Sequence, residues 1–248
     1  MKASISRLLL VALIAILYCG CSPKISQRDI RKQLDNAYVS IEEGHYKEAA
    51  SIYKSVLRTD IKNKEALLNI AYAYNRLGAY SKALNFYKKI NSLYPYELKA
   101  VLGASDCLRG LHKDEEAVAN LEKALPAFSN RPQIYLELAG YLIRFKDFKK
   151  AERLLKKAIG KFPDNERIYI SMSIVKAYRN KMLESYSYAK KAEAINPHNR
   201  DVISLMKVLE RIKAKPVLDY WEYSESENKE FDSIMKDLMS DPSGVLKR

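Results

Sequence analysis

The sequence is short of the residues on which catalysis and metal binding rely. It has three histidines, His45, His112 and His198, in three separate stretches that read as turns between helices. None has a Cys, His or carboxylate beside it at a metal-ligand spacing, so no metal is expected. There is no glycine-rich phosphate loop and no nucleophile elbow, so no cofactor and no catalytic residue is assigned. The adjacent carboxylates Glu42-Glu43 and Glu115-Glu116 would diverge by about 100° on a helix and cannot form an acid–base dyad. They read as solvated helix surface, and an enzyme is not expected. Long apolar runs are missing as well. The run at residues 8–17 is about ten residues long, too short to span a bilayer as a helix.

What the sequence has instead is a strict period of 34 residues, repeated five times without insertion or deletion. One column reads Ala49, Ala83, Ala117, Ala151, Ser185, and a second, seven residues later, Val56, Ile90, Ala124, Ala158, Ala192. A third, twelve residues before the first, reads Ala37, Ala71, Ser105, Ala139, Ser173, and a fourth, twelve after it, supplies Pro95, Pro163 and Pro197. A fixed period of this length marks a stacked array of helical hairpins. In residues 64–97, Leu67, Ile70, Ala71 and Tyr74 share one helix face. Gly78 can end that helix with positive φ. Ala83, Tyr87 and Ile90 form a second apolar stripe, and Pro95 stops the second helix because it lacks an N–H. A lone hairpin cannot bury both faces, so neighbouring units must stack. Helices approach closely only at small residues, with Tyr53, Tyr87, Leu121 and Leu155 filling the space beside them.

These residues resemble the tetratricopeptide repeat. Gly44, Tyr46, Ala49, Tyr53 and Val56 fit its pattern in the first unit, Gly78, Tyr80, Ala83, Tyr87, Ile90 and Pro95 in the second, and Phe148, Ala151, Leu155, Ala158 and Pro163 in the fourth. The third unit departs, with His112 and Ser129 in place of Gly and Pro, and the fifth has Asn180 and Ser185. The resemblance covers residues 30–199 and implies an all-α, right-handed superhelical solenoid of about five hairpins that binds protein partners. Residues 200–215, with Val202, Leu205, Met206, Leu209 and Ile212 at helical spacing, read as a capping helix.

At the N-terminus, Lys2 and Arg7 precede the apolar run, and Tyr18-Cys19-Gly20-Cys21-Ser22 follows it. A charged start, a short apolar stretch and a small-residue site read as a secretory signal over residues 1–20. The Gly20-Cys21 pair resembles a bacterial lipobox, although Tyr18 stands where that motif prefers Leu. The resemblance implies lipidation of Cys21, a tether over residues 21–29 and, with Ser22 rather than Asp after the cysteine, the periplasmic face of an outer membrane. A plain secreted chain cut near Gly20 is the alternative. With Cys19 removed and Cys21 acylated, Cys107 is alone and forms no intramolecular disulfide. It reads as a small buried hydrophobe.

The net charge is +13, unevenly spread. Residues 216–248 hold four basic and eight acidic side chains, a net of −4, which leaves +17 on the remainder. A basic body with an acidic tail points to anionic partners, to a tail that returns to the body, or to a solvated Lys-rich face. In the repeat family the first helix of each hairpin lines the groove. That places Leu34, Leu68, Leu102 and Leu136 on its floor, Tyr38 and Tyr72 toward one end, Arg76, Arg109, Arg144 and Tyr178 along one side, and Arg31, Lys99 and Arg167 at the helix starts. Aromatics and arginines are common at binding hot spots. The competing reading puts part of the leucine column in the inter-helix core, since sequence does not fix the rotation of a helix.

Beyond Pro216 lie the acidic aromatic stretch 218–223 and an amphipathic stretch on Phe231, Ile234, Met235, Leu238 and Met239. The tail is expected to fold back on the groove or to dock a partner, with a free tail as the alternative. Lipobox and repeats together resemble the small lipoproteins that assist pilus and secretion assemblies. The expected partners are protein subunits of an envelope assembly and, through the lipid, the membrane. An adaptor for peptidoglycan hydrolases and a basic anion-binding module for nucleic acid, wall polymer or lipid headgroups are the alternatives, with nucleic acid the least expected.

Overall fold

A computed structural model describes residues 26–213, which form helices and turns with no strand among them. The signal segment 1–20, Cys19, Cys21, most of the tether and the acidic tail 216–248 lie outside the described residues. Eleven helices follow one another among the described residues: α1 (Gln27–Glu42), α2 (Tyr46–Thr59), α3 (Lys64–Arg76), α4 (Tyr80–Leu93), α5 (Leu98–Gly110), α6 (Asp114–Ala124), α7 (Pro132–Arg144), α8 (Phe148–Lys161), α9 (Glu166–Tyr178), α10 (Met182–Ile195) and α11 (Arg200–Lys213). They pair as five hairpins, α1/α2 to α9/α10, and α11 packs on α10 and α9. Helix α1 starts ahead of the expected boundary at residue 30. The Ser26 hydroxyl accepts from the Asp29 N–H at 3.1 Å while the Asp29 carboxylate accepts from Ser26, a capping box that starts the helix at Gln27.

The small columns are where the two helices of each hairpin meet. Ala37, Ala71, Ser105, Ala139 and Ser173 are 0% exposed, and so are Ala49, Ala83, Ala117, Ala151 and Ser185. Serines in these columns have partners, as buried hydroxyls must. Ser173 donates to the Ser185 carbonyl at 2.9 Å, and Ser105 donates to the Val101 carbonyl at 3.1 Å while accepting from Asn120 at 2.8 Å. Beside the columns Tyr53, Leu121 and Leu155 are fully enclosed. One continuous core runs from Ile30 to Leu209. Cys107 lies in it, 0% exposed, and burial pushes its thiol up to about 12, so the group is inert at neutral pH.

The turn inside every hairpin takes the left-handed conformation at one repeated position. Gly44 has φ 80° and Gly78 φ 70°, and the same column continues with His112 at 58°, Lys146 at 58° and Asn180 at 55°. The departure of units 3 to 5 from glycine therefore leaves the geometry intact and only adds strain, about 1–2 kcal/mol for a residue with a Cβ.

A buried ionic cluster ties unit 4 to unit 5. Lys176 of α9 is 3% exposed and donates to Glu152 of α8 at 2.9 Å and, more closely, to Glu184 of α10. Arg179 also binds Glu152, and Lys156 reaches it at 3.0 Å. Burial alone would raise the Glu152 pKa, but hydrogen bonds and charge from Lys176 and Lys156 outweigh it and hold the carboxyl at about 2, against 4.5.

Three outcomes follow from this packing. Lys146→Gly should raise stability by about 1 kcal/mol, read from urea unfolding by circular dichroism, because it relieves a left-handed residue. Gly103→Ala should lower it by about 1–3 kcal/mol, since a Cβ there would lie 2.3 Å from the buried Tyr87 ring. Glu152 titrates at lower pH in the folded than in the unfolded chain. Its contribution is therefore complete above about pH 4.5 and lost as pH falls toward 2. Glu152→Gln should flatten the acid limb of a stability–pH curve over that window, and an unchanged curve would remove this cluster from the account.

Candidate functional site

The last residue of each first helix meets the first residue of the preceding unit's second helix, thirty positions back. Arg76 donates to the Tyr46 hydroxyl at 3.3 Å with its guanidinium 5.6 Å from the ring centre. Gly110 faces Tyr80 so closely that a Cβ would lie 2.6 Å from that ring. Arg144 binds Asp114 at 3.3 Å and stacks 4.3 Å over Tyr141, and Tyr178 stacks on Phe148 at 5.1 Å. These four latches hold successive units in register. Arg109 is braced within its own helix by Asp106, which also accepts from Asn75 of the preceding unit at 2.6 Å.

At the opposite ends of the first helices a second series of contacts links units. Arg31 pairs with Glu65 at 3.4 Å and with Asp35 at 3.1 Å, and Lys64 pairs with Glu97 at 2.7 Å. Near the C-terminal end Glu166 accepts from Asn199 at 3.2 Å and Asn196 at 3.4 Å. Between units 3 and 4 the series lapses. The register sets Lys99 against Gln133 and Leu98 against Arg131, and no ion pair joins these residues among the described ones. Here α5 and α7 scarcely meet, whereas α3 packs on α5 and α7 on α9. Helix α6 is 11 residues long where its equivalents have 14, and a turn at 125–130 carries Phe128 into the gap.

A cleft of about 880 Å³ opens at this place. Its walls come from three units: Tyr96, Leu98 and Lys99, then Phe128, Arg131, Gln133 and Leu136, then Glu166 and Arg167. Tyr96 stands at the rim, 81% exposed. The two carboxylates in the lining, Glu97 and Glu166, already serve Lys64 and the two asparagines. The Gln133 Oε1 atom is buried and has no donor among the described residues. Apolar floor, cations on three successive helix starts and an unfilled acceptor suit an extended peptide with carboxylates.

The structure divides the residues expected to line a groove. Lys99, Leu136 and Arg167 line the cleft. Leu34, Leu102 and Leu136 are 4%, 1% and 3% exposed, so these three leucines belong mainly to the core. The cause is packing: a first helix inside the array has neighbours on several sides, and α7 is buried from Ile134 to Ile143. Leu68 and Tyr72 are half-buried, with Tyr72 edge-on to Tyr46 at 6.3 Å. Tyr38 is 52% exposed near the end of α1. Arg31, Arg76, Arg109, Arg144 and Tyr178 serve as links between or within units rather than as a charged side wall. Arg131, Tyr96 and Phe128 escaped the sequence reading because they precede the helix-start column or sit in the irregular turn of unit 3, and Gln133, which stands in that column, because it carries no charge. A basic residue at the N-cap of α7 was the available signal.

The tetratricopeptide repeat pattern matches residues 40–103 and 108–172, a little over half of the 248 residues. The chain belongs to the tetratricopeptide repeat family. It is 22% identical over 146 residues to Tetratricopeptide repeat protein 8 of Caenorhabditis elegans, a match that takes in 58% of this chain and 29% of that protein. The chain thus spans less than a third of that relative. Among solved structures it is similar to TTC0263, a thermophilic protein of the family from Thermus thermophilus, with a TM-score of 0.58 and 19% identity over 73% of this chain and 99% of that one. It is also similar to YrrB, described as having an unusual peptide-binding site, with a TM-score of 0.52 and 15% identity over 71% of this chain and 90% of that one. At such identities the likeness is one of fold. Among the described residues no helix is long and apolar enough to cross a membrane, and no His, Cys, Asp and Glu cluster suits a metal.

Latch and cleft residues should separate by experiment. Arg144→Ala should lower stability by about 0.5–1 kcal/mol through the lost stacking and ion pair. Arg131→Ala should stay within about 0.5 kcal/mol of the parent, as an exposed residue away from the core does. Thermal unfolding of the two variants side by side is the check.

Proposed function

We propose that this tetratricopeptide repeat protein is a non-enzymatic scaffold anchored by lipid at Cys21 to a bacterial envelope membrane, where it holds an acidic segment of a partner subunit during assembly of an outer-membrane, secretion or pilus complex. The observation that carries the reading is the cleft between units 3 and 4. It opens where the links between first helices lapse, and it presents Lys99, Arg131 and Arg167 beside Leu98 and Phe128. Charged contacts of this kind set specificity and encounter rate, while the apolar floor supplies affinity. The N-terminal pattern supports the anchor. With α1 starting at Gln27, five residues separate it from Cys21, a reach of about 18 Å at most. Such a short tether keeps the array against its membrane.

Two measurements test the reading. A labelled extended peptide with Asp or Glu at every third residue and aromatics between should bind the full chain, and Arg131→Glu should weaken it by at least about tenfold. Equal binding by a Lys-substituted peptide, or tighter binding by an oligonucleotide of the same charge, would overturn the protein-partner reading. Cys21→Ser should move the protein from the membrane to the soluble fraction and abolish labelling by an alkynyl fatty acid.

A further inference from the structure

We infer that the cleft between units 3 and 4 is occupied, in the resting protein, by this chain's own acidic aromatic segment, residues 218–225. The inference rests on the reading of the cleft as a peptide site and names its first occupant.

Three matches carry it. The first is charge. The basic array ends in a tail of net −4, and the cleft holds Lys99 and Arg131, which have no ion pair among the described residues, with Arg167 beside them, while its two carboxylates already have partners. The second is spacing. Asp219, Glu222 and Glu225 recur every third residue, which in a polyproline II-like chain sets them on one face about 9 Å apart. The three cations likewise come one from each of three successive units, at the starts of α5, α7 and α9. The third is reach. Glu166 in the cleft wall contacts Asn199 immediately before α11. Helix α11 then carries the chain about 20 Å away, and the six residues from Lys213 to Asp219 span about 20 Å when extended. The chain can therefore return to the cleft with Asp219 at Arg167, Glu222 at Arg131 and Glu225 at Lys99, the order in which the units stand. Tyr220, Trp221 and Tyr223 lie between the carboxylates. They would meet exposed Tyr96 and the apolar wall at Leu98 and Phe128, with a hydroxyl or backbone N–H available for the unfilled Gln133 acceptor.

A tail held in this way is a competitor built into the scaffold. A partner's acidic segment must displace it, so its effective concentration sets how tightly a partner has to bind.

Trp221 is the one tryptophan in the chain, so its fluorescence reports the tail directly. In the full protein, acrylamide should quench Trp221 several-fold less than it quenches the free peptide 214–230 in the same buffer. Arg131→Glu should restore free-peptide quenching, and so should Asp219→Asn with Glu222→Gln and Glu225→Gln. The paired exchange Arg131→Glu with Glu222→Lys should recover the protection. The triple tail variant leaves the array untouched, so its result does not depend on the folding of a cleft variant. The same variant should bind the acidic test peptide about tenfold more tightly than the parent, the gain expected when a tethered competitor is removed. Quenching of Trp221 as complete as in the free peptide would overturn the inference, as would protection that survives Arg131→Glu. Protection that disappears on dilution would assign the contact to a second copy and overturn occupancy within one chain. Peptide binding to the triple variant alongside an unprotected Trp221 in the parent would leave the scaffold reading standing and remove the tail from it; no binding by either chain would remove both.

Discussion

Everything in this molecule depends on how closely the two helices of each hairpin approach. That approach is set by two columns of Ala and Ser with no exposed surface. A larger side chain at Ala71 or Ala83 would push the helices apart, and the displacement would pass to the next unit because each second helix is also the platform for the following first helix. The close approach also decides the polar chemistry of the core. Only short hydroxyls fit at Ser105, Ser173 and Ser185, and each finds a partner within its own or the facing helix.

The fold was largely legible because the period of 34 residues is exact in the sequence. The columns Ala37 to Ser173 and Ala49 to Ser185 occupy the positions that the spacing required. The site was less legible, for two physical reasons. Sequence gives the face of a helix but not how many neighbours that face has, so Leu34, Leu102 and Leu136 read as readily as groove floor as they do as core. Arginine has both a charge and a long planar stem, and the sequence does not say which will be used. Arg76 and Arg144 use both, bonding to Tyr46 and Asp114 and lying against Tyr46 and Tyr141. The left-handed turn was hidden in a third way. His112, Lys146 and Asn180 do not look like glycine, yet the surrounding hairpins force the same backbone on them.

The position of the cleft follows from where the repeat is least regular. Ser129 stands where units 2, 4 and 5 have proline, α6 stops early, and the turn after it separates α7 from α5. Local disagreement with an otherwise consistent pattern is where function is found in many proteins, because regular packing leaves no room for a ligand. In this array the irregularity does two things at once. It opens a volume, and it leaves Lys99 and Arg131 without the ion pairs that Arg31 and Lys64 have in the earlier units.

The latches have one more property: all of them point backwards. Residue 76 reaches to 46, 110 to 80, 144 to 114 and 178 to 148. A polypeptide is made and delivered from its N-terminus, so each newly arrived hairpin finds the partner of its latch already in place. The array can grow against a finished surface, one hairpin at a time. At each stage only the face of the newest hairpin waits for the next, and α11 covers the last one.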